Sequence, residues 1–339
     1  MNFDFGTALI LVFIVSFVST FFVAPLFIKK MTRKRVVSTD VHKPEKPLIP
    51  KIGGLIILFG FLMGALLSLQ LHSRWVNVPF ILAAISSITI IAIIGFVDDV
   101  LDVSDIYRVL TPLMAALPLI VVKAGTSTMN IPFFGNVNFD LGARFIPGIG
   151  YVDINLYILL LIPIGVVACS NLINLLAGFN GLEAGTGAIA CLSILTATVI
   201  LHARGIDNTE SSFIMASMFA ACLAFLIFNW YPAKVFPGNT ATYAIGASIV
   251  CAVVLGNIEK IGVIALAPQI AEFLLKARSR FRAENFGKNI NGRLHYDGEI
   301  YSLTHLIMRY LRPTEQQLVL ILMLLQLVCG AIAVSTLFW

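Results

Sequence analysis

Apolar residues gather along this chain in blocks of about twenty, long enough for a helix to cross the hydrocarbon core of a bilayer, while polar residues are confined to the joints. The blocks lie near 7–28, 53–71, 78–97, 109–122, 155–170, 186–202, 212–229, 241–256, 261–276 and 317–338, which predicts about ten membrane-spanning helices. The fourth is short and carries Pro112 and Pro118, so its limits are the least defined. The first follows Asp4, runs beyond twenty residues and shows no small-residue cleavage site, which predicts a retained helix rather than a secretory leader. The expected fold is an all-α polytopic membrane protein forming one integral domain over 1–339. The segment 124–153 reads as an external hairpin-like loop turning at Gly135-Asn136.

Composition agrees with this class: 58% of residues are hydrophobic, 12% are charged and the mean hydropathy is +0.93, which excludes an ordinary soluble domain. The five cysteines stand singly in apolar blocks with no metal-like spacing. A net charge of +5 is ordinary for a protein whose loops face an anionic leaflet and gives no reason to invoke nucleic acid. The distribution of that charge says more. All 23 Lys and Arg residues except Arg74, Lys123, Arg144, Arg204 and Lys260 fall in one alternating set of joints, which the positive-inside rule places in the cytoplasm, with both chain ends outside.

Five polar stretches break the apolar pattern on that same side. NLINLLAGFNGLEAG, Asn171 to Gly185, sets three amides and three glycines at the end of a spanning block. Irregular backbone at that depth survives only where protein or a wet cavity satisfies it, so more than a helix cap is expected there. DVHKPEKPLIPKIGG, Asp40 to Gly54, is a basic loop stiffened by three prolines. GFVDDVLDVSDIYR, Gly95 to Arg108, puts Asp98 and Asp99 at the membrane boundary, and continued helix would bring Asp102 and Asp105 onto the face of Asp98. Carboxylates so close raise one another's pKa unless a cation sits among them.

NWYPAKVFPGNTATY, Asn229 to Tyr243, is a shaped loop in which Phe236 either anchors in the interface or stacks on a base. The segment 277–315 is the longest basic-side connection. Arg278, Arg280 and Arg282 alternate at its start, as phosphate binding or anionic lipid would favour, and FGKNINGRLHYDG follows as a hairpin. Just before it, APQIAEFLLKA places Glu272 within the ninth block, where a carboxyl needs a partner or a proton. Carboxylates and amides for a divalent cation, an aromatic for a base and arginines for phosphates together describe a cytoplasmic-face groove for a nucleoside-diphosphate substrate that meets something from the membrane.

With GFVDDVLD, NLINLLAGFNGLEAG, NWYPAKVFPGN, APQIAEFL and LILMLLQLVCGAI in order, the chain resembles the polyprenyl-phosphate N-acetylhexosamine-1-phosphate transferases over most of its length. It is most similar to the branch that acts on UDP-N-acetylglucosamine and dolichyl phosphate. The resemblance implies transfer of N-acetylglucosamine-1-phosphate to dolichyl or another polyprenyl phosphate with release of UMP, the first step of lipid-linked oligosaccharide synthesis for N-glycosylation. It implies Mg2+, with Mn2+ as the alternative ion, and is compatible with a homodimer among membrane lipids. Matched by position, Asp98, Asp99 and Arg108 take catalytic places and Asn174 and Asn239 metal places. Asn171, Gly178, Asn180, Phe236, Arg278, Arg280 and Arg282 take substrate-binding places.

Three positions depart from the family pattern. Asn239 stands where a metal-binding Asp is usual, Arg108 where a Lys is usual, and Ser279 where the nearest branch has His. An amide oxygen can ligate a hard cation but brings no charge. Alternatives are a relative using another UDP-sugar or lipid acceptor, or a lipid or solute transporter whose path would run past Glu272. No internal repeat of the kind a transporter carries is visible. The compact last loop favours an archaeal cell membrane over the endoplasmic reticulum.

Overall fold

The computed structural model describes residues 3–43, 45–71, 76–101, 103–104, 108, 110–131, 135–146 and 150–338. Among these, eight helices are long and apolar enough to cross a membrane. They are α1 (Phe5–Lys34), α2 (Gly54–Leu71), α3 (Val78–Leu101), α6 (Ile162–Leu175, entered through a π-helical turn at Tyr157–Leu161), α7 (Leu182–Ala203), α8 (Thr209–Asn229), α9 (Gly238–Gly256) and α13 (Glu315–Ser335).

The other two expected spans are broken, both at proline. The fourth is a pair of short helices, α4 (Pro112–Ala115) and α5 (Leu117–Val121), because neither Pro112 nor Pro118 has an N–H to continue the ladder. The ninth divides at Leu266 into α10 (Glu259–Ala265) and α11 (Ala267–Arg278), with Pro268 in the first turn of α11, where its missing N–H costs nothing.

Helix ends follow their residues. Asp4 accepts the Thr7 N–H at 3.0 Å to open α1, and Arg35 closes it in the left-handed region. Thr314 and Gln317 form a reciprocal capping box at the start of α13. The loop between α6 and α7 is shorter than its glycines suggest, because Gly185 is already helical. A Cβ there would lie 2.8 Å from the Met323 sulfur on α13, so this glycine serves close packing rather than a turn.

The buried centre of the bundle is α9, which packs on α2, α3, α6, α7 and α8, whereas α1 lies at the periphery. Lipid tails are as apolar as the helix faces, so close backbone approach does much of the work of association. Cβ atoms at Gly54 and Gly95 would lie 2.2 Å from the Ala241 nitrogen and 2.7 Å from the Asn239 carbonyl. These glycines let α2 and α3 seat directly on the first turn of α9, and they bring Asn239 up to the aspartates.

At the end opposite the basic loops, the segment expected as one hairpin forms two antiparallel ribbons, β3–β4 (Thr128–Ile131 with Gly135–Asn138) and β5–β6 (Asp140–Ile146 with Gly150–Asn155). Gly135 opens β4 with a left-handed backbone, opposite Ile131, and Asn136 follows it in the strand, opposite Asn130. At the basic end, β1–β2 (Val37–Thr39 with Leu48–Pro50) and β7–β8 (Lys288–Ile290 with Arg293–His295) are small hairpins. The second turns at Asn291-Gly292, both left-handed, as an Asn-Gly hairpin requires. The short helix α12 (Leu303–Leu311) completes this end.

Candidate active site at the basic end of the bundle

Asp98 and Asp99 adjoin in sequence but do different things. Asp99 Oδ1 accepts the Asn239 backbone N–H at 2.7 Å, and its Oδ2 accepts the Thr240 N–H at 3.0 Å and the Thr240 hydroxyl at 2.6 Å. It thus satisfies the free amides at the N-terminus of α9 from another helix, where a negative charge also meets the positive end of the helix dipole. Lys51 donates to the Asp99 carbonyl at 3.0 Å, tying the end of the first basic loop to the same point.

Asp98, only 4% exposed, faces the other way. Its Oδ1 accepts from Arg108 Nε at 2.9 Å and the Val103 N–H at 3.1 Å; its Oδ2 accepts from Asn239 Nδ2 at 2.7 Å and, at a long 3.5 Å, from the Tyr243 hydroxyl. The Thr242 hydroxyl lies 3.2 Å from both the Asn239 carbonyl and Asn174 Oδ1. Asp98, Asn239, Thr242 and Asn174 therefore line up as one polar array across α3, α9 and α6, with the single Thr242 hydroxyl proton shared between the Asn239 backbone carbonyl and Asn174 Oδ1. Asp98, Arg108 and Tyr243 also line a cavity of about 180 Å³ whose remaining walls include Ile93, Ile94 and Val97.

The expected extension of the acidic face to Asp102 and Asp105 lies outside the described residues. No group of three His, Cys, Asp or Glu side chains is arranged as a metal cluster among the described residues. The donors that are present, one carboxylate in Asp98 and the carboxamide oxygens of Asn174 and Asn239, suit a hard cation that keeps water and takes phosphate oxygens as further ligands. They supply a single negative charge, so such a cation would depend on its substrate for the rest.

A second cluster forms around the turn between α6 and α7. Gly178 has φ +104°, and a Cβ there would meet Phe286 at 2.6 Å, so this position admits only glycine. Its N–H donates to Glu183 Oε1 at 2.9 Å, and its carbonyl lies 3.1 Å from His42 Nε2. The His42 ring stacks on Phe179 at 4.4 Å and meets the edge of Phe286 at 4.9 Å, so the first loop, the glycine turn and the last loop share one aromatic contact. Asn180 is buried among Asp40, Lys43, Ala233 and Glu315.

The last loop is fastened to the same turn. Lys276 Nζ and Asn285 Nδ2 both donate to the Leu175 carbonyl at 2.9 Å, and Asn285 also reaches the Ala177 carbonyl at 2.7 Å, closing the C-terminus of α6. Glu272 accepts the Leu303 N–H at 2.8 Å and the Ser302 hydroxyl at 3.1 Å, holding the start of α12, and stands 3.8 Å from Lys276. The carboxyl expected to need a partner has these.

Not all of the expected site residues converge. Asn171 spends its amide on the Val167 carbonyl of its own helix at 2.8 Å. Phe236 is held through its backbone, to Pro50 and Gly53 at 2.8 Å each. Arg278, Arg280 and Arg282 are exposed, and the Arg278 guanidinium lies 5.9 Å from the Tyr301 ring centre. Sequence reasoning passed over Thr240, Thr242, Tyr243, Lys51, Lys276, Asn285 and Glu315. Only Thr240 and Thr242 carried a signal, as hydroxyls in the first turn of a span directly after the Gly-Asn pair.

The model of glycosyl transferase family 4 matches residues 81–257, which contain Asp98, Asn174, Asn180 and Asn239. The chain belongs to glycosyl transferase family 4. Two archaeal relatives match it over nearly its full length. A Saccharolobus solfataricus protein, provisionally described as a UDP-N-acetylglucosamine–dolichyl-phosphate N-acetylglucosaminephosphotransferase, is 36% identical over 328 residues, 96% of each chain. A Sulfolobus acidocaldarius protein of the same provisional description is 33% identical over 95% of this chain and 94% of its own. The Dictyostelium discoideum enzyme of that name is 27% identical over 67% of this chain and 60% of its own.

Proposed function

We propose that this integral membrane protein transfers N-acetylglucosamine-1-phosphate from UDP-N-acetylglucosamine to dolichyl phosphate or a related polyprenyl phosphate. The observation that carries the reading is the Asp98–Asn239–Thr242–Asn174 array at the basic end of a bundle that matches a relative described as a phosphotransferase over 96% of its length. An oxygen of the lipid phosphate attacks the sugar-linked phosphorus, a new P–O–P link forms, the bond to the uridine-bearing phosphate breaks, and UMP leaves with its electron pair. Little covalent work falls to the protein, so positioning and charge dominate.

Arg278, Arg280 and Arg282, exposed on the last loop, are the cations we assign to the incoming diphosphate. Arg108, already charge-paired with Asp98, is the cation nearest the polar array. Asp98 orients this array, since the lipid phosphate is already largely ionised near neutral pH and needs no strong base. Asp99 is a positioning residue that holds Asn239 and the start of α9. Magnesium, held by Asp98, Asn174 and Asn239, would neutralise the diphosphate as it accepts charge. The excess of Lys and Arg at this end supports a site facing the cytoplasm, and relatives from Saccharolobus and Sulfolobus support an archaeal cell membrane.

The test is UMP release from UDP-N-acetylglucosamine by the purified protein in detergent, with and without dolichyl phosphate and Mg2+. Release that requires the lipid establishes the transfer, and its dependence on Mg2+ tests the cation separately. Binding of the nucleotide sugar without release on any polyprenyl phosphate would refute it.

A further inference from the structure

The Asn180 carboxamide is 3% exposed and all four of its hydrogen-bonding positions are taken by protein. Its Nδ2 donates to Glu315 Oε1 at 2.6 Å and to Asp40 Oδ2 at 3.2 Å. Its Oδ1 accepts the Ala233 N–H at 2.6 Å and Lys43 Nζ at 3.2 Å. Glu315 Oε1 also accepts the Asn180 backbone N–H at 2.8 Å, so a single oxygen grips this residue twice.

Two carboxylates on the nitrogen side leave the amide one orientation. Its NH2 must face Glu315 and Asp40, and its oxygen must face Ala233 and Lys43. Ala233 belongs to the 230–237 loop, which carries Phe236 and leads into α9, and Lys43 to the first basic loop. Lys43 is the loosest of these partners: its side chain is 14% exposed, it also pairs with Asp40, and it lies 4.8 Å from the Tyr231 ring centre.

We propose that Glu315, at the start of the last long helix, is a positioning residue of the nucleotide-sugar site, acting through Asn180. It fixes the glycine turn and the 230–237 loop in the register that presents Phe236 and Lys43 to the ligand. The proposal rests on the proposed function. It concerns the donor substrate, because the Glu315 carboxylate bonds directly to Asn180, whereas Asp98 is held by Arg108, Val103 and Asn239.

The experiment compares full-length wild type with Glu315→Ala, Glu315→Asp and Glu315→Gln in detergent. It measures direct binding of UDP-N-acetylglucosamine, and KM and kcat with dolichyl phosphate. Glu315→Gln retains an oxygen at the same reach and is expected to bind as wild type does. Glu315→Ala and Glu315→Asp, the latter drawn back by one methylene, are expected to weaken binding and raise the donor KM by about tenfold, the equivalent of ~1.4 kcal/mol. Their kcat and acceptor KM should stay within about twofold.

A role as a mere negative charge at a helix N-terminus predicts the reverse order, with Asp tolerated and Gln impaired. That order, or unchanged donor binding in all three variants, would overturn the proposal. If Glu315→Ala fails to fold, the Asp and Gln pair decides alone. Wild-type protein that binds no UDP-sugar would instead defeat the functional reading on which the proposal rests.

Discussion

Asn239 Nδ2 donates to Asp98 Oδ2 at 2.7 Å, so the position where a second carboxylate would be usual holds a hydrogen-bond donor turned towards the first. With Asp in its place, two acceptor oxygens would face each other at that distance without a proton between them. Asn239→Asp is expected to destabilise the metal-free protein by about 1–3 kcal/mol through the lost bond and added repulsion. It should also gain more stability from Mg2+ than wild type does. Thermal unfolding in detergent with and without Mg2+ checks both, and a variant indistinguishable from wild type in either condition would show that the pair is not electrostatically linked.

Exchanging the partners separates hydrogen bonding from charge. Asp98→Asn alone sets two amides against each other and removes the anion beside Arg108, so turnover should drop by roughly two orders of magnitude. The double variant Asp98→Asn with Asn239→Asp restores a donor–acceptor pair with its polarity reversed. Stability is expected to return to within about 1 kcal/mol of wild type. Activity should stay low, because Arg108 then faces an amide. Full recovery of turnover would mean that only the pair matters and not which residue bears the charge.

Asp99→Ala removes the acceptor for two backbone amides and a hydroxyl at the head of α9. The expected cost is about 1–3 kcal/mol, the range for a lost helix cap made by a charged group. The loss should be local. Hydrogen exchange of the Asn239 and Thr240 amides should quicken by more than that of amides in the middle of α9, and equal protection in both proteins would show that Asp99 is not the anchor.

The last loop should carry an acid-sensitive term. His305 stacks on Tyr296 at 3.7 Å with planes 8° apart, and burial, partly offset by a hydrogen bond to the Glu284 backbone and reinforced by Lys276, lowers its pKa below the ordinary 6.5. A histidine whose folded pKa is depressed contributes stability that is present above pH 6.5 and is lost as pH falls towards the folded value. Thermal unfolding should therefore weaken below pH 6.5, and His305→Phe, which keeps a ring against Tyr296, should flatten that decline. An equally steep decline in the variant would place the titration elsewhere.

Much of the bundle was legible because the bilayer imposes one rule, about twenty apolar residues per crossing, and eight blocks obey it. The two that broke did so at Pro112, Pro118 and Pro268, visible in sequence but uncertain in consequence until neighbouring helices fixed where the chain bends. The acidic pair and the Asn/Gly turn were legible as polar residues that apolar surroundings would otherwise exclude. What stayed hidden was partnership. Nothing along the chain tells that Asp99 serves a helix 140 residues later, or that Glu315 reaches back to Asn180, because such bonds depend on the crossing of helices and leave no local period. For the same reason Asn171, only one turn from Asn174 and given a substrate-binding place in sequence, is seen only in the structure to bond within α6.

The grip on Asn180 joins a carboxylate that follows the first long helix to one that opens the last. A ribosome delivering this chain into a membrane would release Asp40 early and the turn at Asn180 midway, and their shared grip would stay incomplete until Glu315 emerged. The grip on the glycine turn is thus completed late in biosynthesis, after the elements that carry Asp98 and Asn239 have already been made.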